Sequence, residues 1–119
     1  MDPRAAAQRF ADTWQHGWAR HDVETILTLY AEDAVHTSMP FRTPHTGTSQ
    51  IADYLRRSFQ TETDPQVTFS PPLVDGPHAA IEYRVTTPTT RLAGCVFVTF
   101  DADGLAVRTR DYWHEAPAG

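Results

Sequence analysis

The sequence predicts an α+β fold: three N-terminal helices packed on a strongly curved antiparallel sheet, forming a cone with an internal pocket. Three observations predict it. Helical periodicity is confined to the chain before Phe59, alternating β-branched and aromatic segments fill the remainder, and no linker, repeat or low-complexity tract divides the 119 residues. Residues 1–119 are therefore read as one domain. Three short helices leave part of a curved sheet uncovered, so a pocket at the open end is expected from the architecture itself.

The elements follow in order. Asp2 and Pro3 form a helix-start pair, and Phe10, Trp14 and Trp18 then recur every four residues as one aromatic stripe. Asp22 is placed to cap a second helix, with Val23, Ile26, Leu27 and Tyr30 as its apolar positions. Ala34 to Met39 alternates as a strand, "PFRTPHTG" is a loop, and Thr48 or Ser49 starts a third helix that buries Ile51, Tyr54, Leu55 and Phe59. Strands follow at "QVTFS", "AAIEYRVTT", "RLAGCVFVTF" and "LAVRTRDYWHE", the last two joined by a turn at Asp103-Gly104.

Composition narrows the partners. The formal net charge is −5, and acids are interspersed with arginines, so neither a nucleic acid nor an anionic membrane surface is expected as a partner. A single cysteine, Cys95, excludes an intrachain disulfide, and neither a secretory leader nor a membrane-spanning window is evident, which makes the cytoplasm the expected location. His36, His45, His78 and His114 lack the close pairing that metal sites use, so no metal and no cofactor are expected. Ser38 has no nucleophile-elbow sequence around it, which disfavours covalent catalysis.

The runs "HDVETILTLYAEDAVHTSMPF", "GTSQIADYLRRSF" and "FDADGLAVRTRDYWHE" together resemble the nuclear transport factor 2-like superfamily, specifically its SnoaL-like proteins. The resemblance implies a cone-shaped fold with an internal pocket, dimerisation through the outer sheet face, and acid/base chemistry in members such as ketosteroid isomerases, polyketide cyclases and limonene-type epoxide hydrolases. Laid on the isomerase pattern, the oxyanion-hole tyrosine falls at Trp14, the catalytic aspartate at Ser38 and the second oxyanion donor at Val96. All three are replaced, so the usual isomerase machinery is not expected.

The same alignment assigns strand faces. His36 and Ser38 are expected to look inward from the first strand, Glu82, Arg84 and Thr86 from "AIEYRVTT", and Thr109, Asp111 and Trp113 from the last strand. Arg84 would then bridge Glu82 and Asp111 in a partly dry cavity. The acid-arginine-acid set resembles that of the epoxide hydrolases, although here the middle strand carries acid and arginine in reversed order. Two carboxylates beside one guanidinium can be driven to different pKa values, as a water-activating base and an oxygen-protonating acid require. His36 is the alternative proton shuttle.

The expected catalytic residues are therefore Asp111, Glu82, Arg84 and His36. Trp14, Trp18, Tyr30, Ser38, Phe41, Val96 and Trp113 are the expected substrate-binding residues, with Phe41 and Arg42 as gates at the rim. The expected function is cofactor-independent acid/base catalysis on a small hydrophobic oxygenated metabolite, by cyclisation, isomerisation, dehydration or epoxide opening. The alternative is a non-catalytic module that binds a hydrophobic ligand or serves in dimerisation. A homodimer is expected in either case, through Tyr83, Val85, Cys95 and Phe97 on the outer face.

Overall fold

A computed structural model describes all 119 residues. Helix α1 spans Pro3–Arg20 and ends where His21 takes a left-handed conformation, φ 53°, whose N–H closes the last turn. Helix α2, Val23–Leu27, starts at Asp22, whose carboxylate accepts a hydrogen bond from the Thr25 N–H as the sequence leads one to expect. Strand β1, Tyr30–Ser38, is followed by the two-residue β2, His45–Thr46, and by α3, Gly47–Phe59. Strands β3, Gln66–Phe69, β4, Leu73–Asp75, β5, His78–Thr86, β6, Thr90–Phe100, and β7, Ala106–Pro117, complete the chain. The β6–β7 turn is the one expected at Asp103-Gly104, with Gly104 at φ 80°.

The sheet has the order β2-β1-β7-β6-β5-β3, and β4 pairs with β5 beside β3. Two expectations are corrected here. The sheet is neither strongly curved nor closed into a cone; it is an open path whose edges are β2 on one side and β3 with β4 on the other. The edges are too short to close it. β2 has two residues, and Pro71 and Pro72, which lack an N–H, divide the opposite edge into strands of four and three. Nor is the sheet wholly antiparallel, because β1 runs parallel to β7 and pairs His36 with Thr109 and Ser38 with Asp111.

One face of the sheet is covered by helices, with α1 against β3 and α3 against β1. Phe10, Ile26, Ile51, Ile81 and Val98 are fully enclosed between the layers. No helix is long and apolar enough to cross a membrane.

Register decides what each strand presents to that core. Residues opposite one another in a ladder project to the same face. Ile81 pairs with Val96 and Val96 with Asp111; Tyr83 pairs with Gly94 and Gly94 with Trp113. These rows face the helices, as do Ala79 and Val85, which are buried. Glu82, Arg84 and Thr86 lie on the opposite face and are exposed, which overturns their expected inward placement. Tyr83 and Val85, expected on the outer face, are core residues, whereas Phe97 is exposed on that face beside Tyr112. The physical reason is the binary pattern of β5: Ala79, Ile81, Tyr83 and Val85 form its apolar row, and burying that row removes more apolar area from water than burying a glutamate and an arginine.

Candidate active site

A cavity of about 60 Å³ lies between the helices and the sheet. Helix α1 delivers Phe10, Trp14 and Trp18 to it, one turn apart, so the aromatic stripe becomes one wall. Helix α3 contributes Tyr54, Leu55, Ser58 and Phe59, while β1 adds Tyr30 and His36. Phe69, Tyr83, Val96 and Asp111 close the sheet side, with the Phe69 and Tyr83 rings stacked at 5.2 Å between centroids. The lining is predominantly aromatic, and Asp111 is its one acidic side chain.

Asp111 is therefore the electrostatic centre of the cavity. The Tyr83 hydroxyl donates a 2.6 Å hydrogen bond to its Oδ1. Burial pushes the carboxyl up to about 6, and the Tyr83 bond pulls the other way by favouring the charged form. The carboxylate in turn raises the Tyr83 phenol, which burial already holds far above its ordinary value. Near neutrality Asp111 is thus an ionised base close to its midpoint, bonded to a phenol that keeps its proton.

His36 is buried on the same side, and a 2.7 Å hydrogen bond joins its Nδ1 to Thr109 Oγ1. Burial, then the neighbouring His45, lowers it to about 4, so its imidazole is neutral at pH 7. Trp14 Nε1 donates to the Tyr30 hydroxyl at 3.1 Å, and burial raises the Tyr30 phenol, which also stays protonated. Behind this shell the buried Ser38 Oγ accepts from both the Tyr54 hydroxyl, 2.8 Å, and Trp113 Nε1, 3.1 Å. These two hydrogen bonds tie α3 to β1 and β7.

The structure thus brings together Asp111, His36, Trp14, Trp18, Tyr30 and Val96 from the residues the sequence singled out. Ser38 and Trp113 support the lining without forming it. Phe41 projects fully into solvent and does not line the cavity, while the Arg42 guanidinium lies 5.3 Å from the Trp113 ring centre. Glu82 and Arg84 border a separate hollow on the outer face, with Cys95 and Tyr112. No ion pair joins Arg84 to Glu82 or Asp111; the ion pairs are His21–Glu62 and those of Arg56 with Glu24 and Asp53. The partner of Asp111 is instead Tyr83, which the sequence reading placed on the wrong face. The Ala79-Ile81-Tyr83-Val85 alternation is the signal that identifies it.

The family model for the SnoaL-like domain matches residues 7–109. The chain belongs to this family. The SnoaL-like fold it shares with the nuclear transport factor 2-like superfamily is often associated with small-molecule enzymes of isomerase, cyclase or hydrolase type. Among solved SnoaL-like relatives, a candidate ketosteroid isomerase from Kribbella flavida is 32% identical, with a TM-score of 0.72 over 98% of this chain and 81% of that one. A SnoaL-like protein of unknown function from Burkholderia thailandensis has 24% identity and a TM-score of 0.77, covering 97% of both chains. An LEH-like epoxide hydrolase from M. tuberculosis shares the fold at 22% identity, with a TM-score of 0.70 over 92% of this chain and 84% of its own. No curated protein matches the chain.

Proposed function

We propose that the protein is a cofactor-independent enzyme that moves a proton on a small, hydrophobic, carbonyl-bearing molecule, with Asp111 as the acid/base. The observation that supports this reading is the carboxyl group of Asp111 in an aromatic cavity, raised to about 6 and held by Tyr83. A base with a pKa near working pH combines a large ionised fraction with useful proton affinity. The protonated Tyr30 phenol and the neutral imidazole of His36 supply neutral hydrogen-bonding groups for an oxygen that gains charge as the base removes the proton, while the single Tyr83 hydroxyl proton stays directed at Asp111.

One carboxylate suits isomerisation or aldol-type cyclisation, in which a single group takes a proton from carbon and returns one. Epoxide opening by an acid-arginine-acid set loses its support, since Glu82 and Arg84 lie on the other face. Ketosteroid isomerisation, for which the Kribbella relative is a candidate, is not supported here by the usual residues, because Trp14, Ser38 and Val96 stand in place of them. Any such activity here would run through Asp111.

A non-catalytic ligand-binding module is the second reading, and the predominantly apolar lining with its one acidic side chain favours it. The two readings separate in deuterated water. Small cyclic and β-dicarbonyl ketones incubated with the protein are expected to exchange α-protons at a rate that rises with pH around 6. Asp111→Asn is expected to slow that exchange by about 10²–10⁴-fold, with ketone binding retained by calorimetry. Equal exchange by the two proteins would leave only the binding module.

A further inference from the structure

The Tyr83–Asp111 contact depends on a residue that touches neither the cavity nor any ligand in it. Gly94 lies on β6 directly between Tyr83 on β5 and Trp113 on β7, in one cross-strand row that faces the helices. A Cβ at position 94 would sit 2.5 Å from the Tyr83 hydroxyl oxygen, 2.6 Å from its Cζ and 2.9 Å from Trp113 Cβ. All three are far inside van der Waals contact. The Trp113 Cβ is fixed to the β7 backbone and cannot retreat, so the Tyr83 ring must yield.

That ring has one productive position. Its hydroxyl crosses over Gly94 toward β7 to reach Asp111 Oδ1, two residues from Trp113, a diagonal reach that a side chain on the intervening strand would block. Phe69 stacks on the ring at 5.2 Å and Trp18 packs at 5.5 Å, which leaves little lateral play.

We propose that Gly94 is a positioning residue of the candidate active site: its missing side chain provides the seat from which the Tyr83 hydroxyl holds Asp111 in orientation. For its catalytic consequence the inference rests on the proposed role of Asp111; the contact itself is read independently, by titration. The groups facing Asp111 are few. β1 brings Tyr30 and His36, α3 brings Tyr54 and β5 brings Tyr83, while α1 offers Phe10, Trp14 and Trp18 and β6 offers Val96, with Cys95 on the reverse face. No arginine lines the cavity to mask a change at Tyr83.

The test is a pH titration of the Asp111 carboxyl carbon by NMR, its resonance assigned by loss in Asp111→Asn. The parent midpoint is expected at about 6. Tyr83→Phe removes the hydrogen bond and is expected to raise the midpoint by about one pH unit. Gly94→Ala is expected to raise it by the same amount, and Tyr83→Phe with Gly94→Ala no further, since both act on one bond. A folded Gly94→Ala protein with the parent midpoint, or a double variant whose shifts add in full, overturns the proposal. If Gly94→Ala does not fold, Tyr83→Leu in the same chain is expected to restore folding by clearing the ring; persistent unfolding overturns it as well. Should Asp111→Asn leave proton exchange unchanged while these midpoints shift as stated, the acid/base reading fails and the positioning of Asp111 stands.

Discussion

Strands β1 and β5 are both nine residues long, and each turns one row of side chains toward the helices, yet those rows are chemically opposite. β1 presents Tyr30, His36 and Ser38, each tied by a hydrogen bond to a neighbouring element. β5 presents Ala79, Ile81 and Val85, with Tyr83 the one polar atom among them. A polar inward row is tolerable only where partners wait for it, and β1 has them: Thr109 in the parallel neighbour β7, and Tyr54 and Trp113 around Ser38. β5 has no such supply, so its polar row faces solvent. The site therefore forms where these contrasting strands meet across β6 and β7, with polar anchoring from one side and apolar walls from the other.

The comparison predicts that β5 reports through packing. Ile81 is fully buried and surrounded by sheet and helix, so Ile81→Ala is expected to lower the unfolding free energy by about 4 kcal/mol, within the ~2–5 kcal/mol range for such truncations. Chemical denaturation measures it. A loss below about 1 kcal/mol would mean that the inner row of β5 is not core.

β1 and β7 should report through pH instead. Asp111 has a folded-state pKa of about 6 against an ordinary 3.8, so it binds protons more tightly folded than unfolded. Its stabilisation is complete below the ordinary value and is lost as pH rises through about 6. His36 is lowered to about 4 from 6.5, so its contribution is present above 6.5 and is lost as pH falls through about 4. At about 1.4 kcal/mol per pH unit, each effect amounts to about 3 kcal/mol, with opposite sign over nearly the same window. The two largely cancel in the parent protein. In Asp111→Asn stability is expected to rise with pH between about 4 and 6.5; in His36→Asn it is expected to fall. Denaturation midpoints across that range decide it, and parallel curves for the two variants would refute the buried titration of both.

The same contrast explains what was legible in the sequence. Helical spacing at Phe10, Trp14 and Trp18, the cap at Asp22 and the turn at Gly104 are local signals that hold, although the second helix ends at Leu27 and Tyr30, expected among its apolar positions, opens β1. The inward face of β7, with Thr109 and Asp111, was also legible, as was His36. For β5, the family pattern conflicts with the apolar alternation of Ile81, Tyr83 and Val85 and is one residue out of phase with the buried row. A one-residue slip exchanges the whole inner row for the outer one, setting Glu82 and Arg84 where Tyr83 belongs. The closure of the sheet is a different matter. It depends on how many ladder bonds short edges such as β2 can make with distant strands, and no window of sequence carries that information.

The smallest expected effect tests this phase most directly. Glu82 and Arg84 sit beside Ala93, Cys95 and Tyr112 on the outer face, exposed and without an ion pair. Side chains in that setting have little to lose, because water solvates them in the folded and unfolded states alike. Glu82→Gln and Arg84→Gln are each expected to change stability by less than about 0.5 kcal/mol and to leave α-proton exchange within about twofold of the parent. Were Arg84 the clamp of a buried acid, its removal would strand a charge in the interior and cost about 3–5 kcal/mol. The two values are far enough apart that one denaturation curve separates them, and a large loss would mean that β5 turns its charged row toward the helices after all.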